Sequence, residues 1–366
     1  SASMRRRALP RWPANCSCRW PRRGGTTARS PRPSCGAIST TSTKQTIVVD
    51  NNAPTATVVD PAANAIKSSS GTTYAAAPNY PGETAWAGSI TGTASDAASG
   101  VQSVELSVRR SADGLYWNGS GFSSASEVWL APTGTTSWSL SFFVGNFSSG
   151  GAYQLRVRAT DVAGQTSAPS SSTFHLDYDP ARTVFVSTTG NDANDGLSPS
   201  TAKATIGAAV AVATNSRPLV AIAGGTYNGT VTIGATSADP PILRGGYAAS
   251  FKRSGPGTNE VEIVGSGGGN TTGMVVSTDD IYLQQLTILS GAPSGSGASA
   301  YGLRVLDGAT ARVEICSVEA EAATAGANHG STPGNAQNGC TGGNGGNASG
   351  PSSPGGGASS CGNPGV

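Results

Sequence analysis

The sequence predicts an all-β protein in which a two-sheet sandwich precedes a set of stacked parallel coils. Its 366 residues include 51 Gly and 22 Pro but only 12% charged residues, a composition that favours strands joined by many turns. Short segments of alternating apolar and polar residues fill positions 46–179. Further along, residues 273–288 match residues 302–318 at an offset of 29 to 30 positions, which indicates structural repeats.

Residues 1–45 are predicted to form a disordered basic arm. Ten of the 23 Lys and Arg residues precede Asp50, the first acidic residue. A basic arm can bind nucleic acid or anionic lipid. This one mixes Arg, Pro, Gly and Trp without apolar periodicity, which is typical of disorder or of sequence that is not naturally coding. We therefore expect no nucleic-acid partner.

The sequence contains no candidate transmembrane segment, because no stretch approaches the roughly 18 apolar residues that a span needs. The amino end also lacks the apolar core of a secretion signal, despite Arg5, Arg6 and Arg7. We expect an incomplete gene, so an extracellular or cell-surface location has to be inferred from the domains.

Residues 46–179 are predicted to form the sandwich. In the strand over 101–108, one face is apolar and the other polar, which is the pattern of a half-buried strand. The inward side chains are Val104, Leu106 and Val108, and the outward ones are Glu105, Ser107 and Arg109. A later strand has Tyr153, Leu155, Val157 and Ala159 on its inward face. The following Asp161–Gly164 has the chemistry of a tight hairpin that leads to a returning strand near 173–177.

This part of the chain resembles a bacterial immunoglobulin-like domain found in large exported and surface proteins. The matching segments are SGVQSVELSVRR, DGLYWNGSGF with EVWL, TTSWSLSF and YQLRVRATDVAGQTS, within residues 46–178. The resemblance implies a spacer or interaction module that is not an enzyme.

Four aromatic residues within the sandwich could contact sugar rings. They are Tyr116, Trp117, Phe122 and Trp129. The alternative is a small core beneath the connection between two strands, and it is favoured because Trp and Tyr are most often at least partly buried.

Residues 180–324 are predicted to begin a solenoid, with a capping helix near 203–213 over the first coil. In the repeated segments, Leu283 aligns with Val313, Leu286 with Cys316 and Ile288 with Val318. The segments VFVSTTGNDANDGLSPSTAKATIGAAVAVA and IAGGTYNGTVTI resemble the amino-terminal cap of the pectate-lyase-like, right-handed parallel β-helix superfamily. This resemblance covers residues 183–320 and implies an incomplete β-helix. Residues 325–366 are Gly/Asn-rich and are predicted to be a low-complexity loop or linker with little fixed structure.

Metal and cofactor motifs are weak in this sequence. The run from Asp192 to Gly196 is one residue short of an EF-type calcium loop, so a plain turn is preferred. The cysteines lack zinc spacing, and a Cys340–Cys361 disulfide is plausible in a secreted protein, with Cys316 left as a small core residue. We assign no metal, no cofactor and no cofactor-binding residue.

Candidate catalytic residues are confined to two predicted neighbouring coils. They are Asp279 and Asp280 on one coil and Arg304, Asp307, Arg312 and Glu314 on the next. Carboxylates brought together by stacked coils could serve a glycosidase or a lyase. However, acidic residues in turns usually accept backbone hydrogen bonds, and outward charges keep a solenoid soluble. We therefore assign no catalytic residue.

The sequence leaves two functions open. The first is a noncatalytic exported or surface protein, with the sandwich as a spacer and the β-helix contacting an extracellular polysaccharide or a cell-surface glycan. The second is a fragment of a polysaccharide lyase or glycoside hydrolase whose active coils lie beyond residue 366. Both use the same fold, so the fold alone does not discriminate between them.

Overall fold

The computed structural model describes residues 49–234, 238–277 and 280–326, and these residues are nearly all β. The predicted arm at 1–45, the proposed Cys340–Cys361 disulfide and almost all of the predicted linker at 325–366 lie outside these ranges. The all-β prediction is confirmed. In the described ranges, strands Thr55–Leu176 form mainly antiparallel sheets, here called the antiparallel region, and strands Thr183–Glu319 form parallel sheets, here called the parallel region.

The antiparallel region consists of two sheets. Its strands are β1 (Thr55–Asp60), β2 (Ile66–Ser68), β3 (Glu83–Ala85), β4 (Ser89–Ser95), β5 (Val101–Arg110), β6 (Tyr116–Trp117), β7 (Phe122–Ser124), β8 (Thr133–Gly134), β9 (Ser137–Ser141), β10 (Gly151–Asp161) and β11 (Ser170–Leu176). One sheet has the order β1-β4-β9-β8 and the other β3-β2-β11-β10-β5-β6-β7. Strand β2 pairs in parallel with both of its neighbours.

Apolar alternation determines how these strands face the core. All the side chains predicted to point inward from β5 and β10 are buried. The predicted hairpin is present, with the Gln165 N–H donating to Asp161 Oδ1 at 2.8 Å and Gly164 at a φ of +91°. Ser107 lies on the predicted polar face of β5, but the half-buried interpretation does not hold at this position, because Ser107 is covered and only 1% exposed. A segment carrying Glu127 and Trp129 covers this face, where it contacts Arg156 and Arg158 of β10.

The parallel region repeats one unit along the chain. Its strands are β12 (Thr183–Val186), β13 (Leu219–Ala223), β14 (Gly225–Asn228), β15 (Val231–Ile233), β16 (Ile242–Tyr247), β17 (Val261–Val264), β18 (Thr271–Val276), β19 (Asp280–Gln284), β20 (Thr287–Leu289), β21 (Ala300–Val305), β22 (Thr310–Glu314) and β23 (Ser317–Glu319). They form three sheets, with the orders β12-β13-β16-β19-β22, β14-β17-β20-β23 and β15-β18-β21. Each complete turn of the chain contributes one strand to each sheet, and this arrangement fits a parallel β-helix.

Stacking places equivalent side chains of successive turns next to each other. The predicted alignment is confirmed, because Leu283 pairs in register with Val313 and Ile288 with Val318. Cys316 packs against the shared core and lies within 3.4 Å of the Leu286 nitrogen. No described turn stacks on β22 and β23, and Val313 and Val318 of these strands are each 43% exposed.

A short helix lies at the start of the parallel region. The helix α1 (Ile206–Val212) confirms the predicted helix, and Thr205 caps it by accepting a hydrogen bond from the Ala208 N–H at 3.2 Å. Ile206 and Val210 are buried against β12, β13 and β15. Short 3₁₀ helices span Val144–Asn146, Pro180–Arg182 and Pro199–Thr201. Within the described residues, no helix is long and apolar enough to cross a membrane.

The run between Asp192 and Gly196 forms turns in which the acidic side chains accept local hydrogen bonds. Asp192 accepts from the N–H groups of Ala204 and Thr205 at 2.8 and 2.9 Å, and Asp195 accepts from the Leu197 N–H at 2.9 Å. Asp192 thereby anchors this turn to the residues that begin α1.

A buried ion cluster joins the antiparallel and parallel regions. Glu83 of β3 accepts hydrogen bonds from Arg244 of β16 and from Arg253, whose Nη2 lies 2.8 Å from Glu83 Oε2. The three side chains are 0–2% exposed. Burial is the largest single influence on Arg244 and disfavours its charge, but the Glu83 carboxylate and the neighbouring tyrosines together outweigh it, so the pKa of Arg244 is raised above its ordinary value.

Replacing Glu83 with Ala should lower the free energy of unfolding by about 3–5 kcal/mol, because two buried guanidinium groups would lose their anion. Denaturant unfolding followed by circular dichroism measures this loss. The matched control is Glu105→Ala, which breaks a more exposed pair with Arg158 and should cost about 1 kcal/mol or less. Equal losses in the two variants would contradict the importance of the buried cluster.

Candidate functional site

The four aromatic side chains singled out in the antiparallel region do not form an exposed stacking surface. Trp117 and Phe122 are 8% and 9% exposed, and their ring centroids are 5.3 Å apart. Both also pack against Phe142. The core interpretation is therefore confirmed for these two residues, which belong to the hydrophobic cluster between the sheets.

The other two aromatic residues are half-buried beneath arginines. The guanidinium of Arg158 lies 4.1 Å from a ring centroid of Trp129, and that of Arg109 lies 5.8 Å from the Tyr116 ring. Cation–π contacts of this kind occupy the ring face that a sugar would need.

Three of the charged residues considered for catalysis, Asp280, Arg312 and Glu314, have polar partners within the described parts of the coils. Arg312 Nη2 lies 2.6 Å from Glu314 Oε1, and Gln284 donates to Glu314 Oε2 at 2.8 Å. Asp280 accepts a hydrogen bond from the Thr310 hydroxyl. These side chains thus satisfy one another along the outer surface.

The geometry also separates Asp280 from Glu314, two of the three described candidate carboxylates. Asp280 is in register with Thr310, four residues before Glu314 on the same strand. Four residues of strand span roughly 13 Å. The backbone positions that carry Asp280 and Glu314 are therefore farther apart than the about 5–9.5 Å between the two carboxyl groups of a glycosidase. Arg304 lies over the Tyr301 ring, Asp307 occupies a turn with a φ of +55°, and Asp279 lies outside the described residues.

A groove on the parallel region is the strongest candidate for a binding site. It has a volume of about 350 Å³ and runs between the start of α1 and strands β14 and β15. Residues that line it include Thr188, Thr205, Thr226, Asn228, Thr230 and Thr232. No charged side chain contributes to the described lining.

Side chains alternate in direction along β14 and β15, so the hydroxyl and amide groups of the groove point outward. Tyr227 and Val231 are buried, whereas Asn228 and Thr232 beside them are exposed. The Tyr227 hydroxyl donates to the Ala223 carbonyl at 2.8 Å, which fixes the ring inside the coil. Exposed hydroxyl and amide groups therefore form a neutral polar row along two consecutive strands, β14 and β15, which belong to different sheets.

Other hydroxyls of the groove are held by local hydrogen bonds. Thr205 donates to Asp192 Oδ2 at 2.9 Å, and Thr226 donates to Glu262 Oε2 at 3.0 Å. The Thr230 hydroxyl donates to the Thr272 carbonyl at 2.7 Å. These bonds fix the edges of the groove, whereas the exposed side chains of Thr188, Asn228 and Thr232 form no hydrogen bond within the described residues.

Sequence reasoning missed this row, although a signal was present. In the segment from Thr226 to Thr232, Thr or Asn occupies every second position between inward-facing residues.

Comparison with known proteins gives little guidance on this site. No family model and no curated protein matches the chain. Among solved structures, an engineered protein is similar at 19% identity over 34% of this chain and 20% of its own, with a TM-score of 0.20. A mutant of the SrpA adhesin from Streptococcus sanguinis is similar at 15% identity over 36% of this chain and 60% of its own, with a TM-score of 0.19. At these TM-scores neither similarity supports an argument about function.

Replacing Trp117 with Ala should lower the free energy of unfolding by about 3–5 kcal/mol, because a large buried ring leaves a cavity. Retention of the folded variant on immobilised polysaccharide should equal that of the wild type. Thermal unfolding and affinity chromatography measure the two effects. The half-buried Trp129→Ala is the control and should cost less stability. If Trp117→Ala loses retention while its stability is unchanged, the core assignment of Trp117 is wrong.

Proposed function

We propose that this is a noncatalytic exported or cell-surface protein whose parallel region contacts an extracellular polysaccharide or a cell-surface glycan. The antiparallel region would act as a spacer. The observation that carries the proposal is the groove beside α1, where neutral hydroxyl and amide groups project from the ordered strands β14 and β15.

The chemistry of the groove suits a neutral sugar chain. Threonine hydroxyls both donate and accept hydrogen bonds, and the Asn228 amide offers two donors and an acceptor, so they complement the hydroxyl groups of a sugar. The described lining has no cationic side chain, although a polyanionic sugar would normally require one. A neutral polysaccharide is therefore the expected ligand class.

Two exposed side chains of the groove are held on paired strands, which supports a role as a contact surface. Asn228 lies at the end of β14, which pairs in register with β17, and Thr232 lies on β15, which pairs with β18. Because ordered backbone holds both side chains, little further conformational entropy is lost when a sugar binds.

The double variant Asn228→Ala/Thr232→Ala should bind neutral polysaccharide about tenfold more weakly, since it loses two exposed hydrogen-bonding groups. Binding to a panel of immobilised neutral and acidic polysaccharides provides the measurement. The matched control is Thr57→Ala/Thr93→Ala, which removes two exposed hydroxyls from the antiparallel region and should leave binding unchanged.

Two results would overturn the proposal. One is equal binding by the groove variant and the wild type. The other is release of reducing ends or unsaturated products from any polysaccharide of the panel, which would establish the competing function of a lyase or hydrolase.

A further inference from the structure

Three carboxylates converge at one end of the antiparallel region. Asp50 precedes β1, Asp96 follows β4, and Asp161 ends β10. One carboxylate oxygen from each lies within 4.8 Å of the others. None of the three forms an ion pair with a Lys, Arg or His in the part of the chain that the structure describes. Three like charges at this distance repel one another unless a cation lies between them.

Asp161 supplies an independent indication of a ligand. Its side chain is fully buried, at 0% exposure. Oδ1 accepts a hydrogen bond from the Gln165 N–H at 2.8 Å, but Oδ2 has no hydrogen-bond partner among the described residues. Burying an unpartnered carboxylate oxygen costs free energy, and a bound cation would remove this cost.

The loops hold the other two carboxylates in place. Asp96 Oδ1 accepts from the N–H groups of Ser99 and Gly100 at 2.8 Å each. The Gly100 hydrogen bond is the largest influence that lowers the pKa of Asp96. Asp50 Oδ2 accepts from the same loop, at 3.1 Å from the Ser99 nitrogen.

We propose that Asp50, Asp96 and Asp161 bind one Ca²⁺ ion. All three ligands are hard oxygen donors, which favours Ca²⁺ or Mg²⁺ over zinc or copper. Mg²⁺ demands near-ideal octahedral geometry and is usually held by one or two carboxylates, whereas Ca²⁺ accepts several carboxylates in a flexible geometry, so a set of three favours Ca²⁺. The remaining positions of its coordination sphere would be filled by water, which is usual for Ca²⁺ sites.

Bound Ca²⁺ would connect three segments that the sequence separates widely. It would tie the chain that enters β1 to the β4–β5 loop and to the β10–β11 hairpin. The Gln165 side chain already donates to the Asp50 carbonyl at 2.8 Å across the same junction. The ion would thus fix the entry of the chain into the antiparallel region and make its stability depend on calcium.

Calorimetric titration of the full chain, after removal of divalent ions with a chelator, tests the proposal. The wild type should bind one Ca²⁺, with a dissociation constant of about 10⁻⁴–10⁻³ M, as in extracellular calcium modules. At a hundredfold excess over that constant, the midpoint of thermal unfolding should rise by about 5–10 °C. Mg²⁺ should bind at least about tenfold more weakly, because it demands a near-ideal octahedral geometry that carboxylates from three separate segments do not supply.

Asp161→Asn should abolish both the binding heat and the thermal shift, while its amide oxygen can still accept the Gln165 hydrogen bond. Asp96→Asn, at a less buried position, gives the same test if Asp161→Asn does not fold. The matched control is Asp113→Asn, which removes the charge of a carboxylate that forms a salt bridge with Arg110. This variant should bind Ca²⁺ like the wild type. Absence of binding by the wild type, preference for Mg²⁺, or wild-type binding by both cluster variants would overturn the proposal.

Discussion

The arrangement of the two regions depends on the ion pairs that the buried Glu83 carboxylate forms. Glu83 lies on β3 of the antiparallel region and accepts hydrogen bonds from two arginines of the parallel region, Arg244 and Arg253. Removing three charges from water is costly, and the cost is offset only when each charge has a partner and further hydrogen bonds. Arg244 also donates to Gln284 Oε1 at 2.7 Å, and Arg253 donates to Ser68 Oγ at 2.7 Å.

Neighbouring groups extend this junction. The guanidinium groups of Arg244 and Arg253 lie 4.7 and 4.9 Å from the Tyr74 ring, and burial raises the pKa of Tyr74 to about 12. Asp177, immediately after β11, accepts from the Arg253 N–H at 2.9 Å and from the Ser69 N–H at 2.7 Å. A mismatch in position between the regions would leave several buried charges without partners. The junction therefore constrains the parallel region to begin at a defined place.

The features of the fold that depend on local pattern could be predicted from the sequence. The match of Leu283 with Val313 follows from the repeat period, because each turn must place an apolar residue over the one before it. The helix near residues 203–213 follows from its small apolar residues. Ser107 shows the limit of such patterns, because alternation reports which side of a strand is apolar and cannot report what covers the polar side.

The junction and both candidate sites could not be predicted in this way. Glu83 is separated from Arg244 and Arg253 by 161 and 170 residues, and no periodicity connects them. Asp50, Asp96 and Asp161 each look like an ordinary turn residue until the fold brings the three turns to one end. The groove combines Thr188, the start of α1 and two strands, so it exists only once the first coil has formed.

Hydrogen exchange measured by mass spectrometry in increasing denaturant tests most directly whether the Glu83 cluster makes the two regions one cooperative unit. Peptides from β5 and β10 in the antiparallel region are compared with peptides from β13 and β16 in the parallel region. The account predicts that both sets lose protection at the same denaturant concentration in the wild type. Loss of protection in β5 and β10 while β13 and β16 stay protected would contradict it.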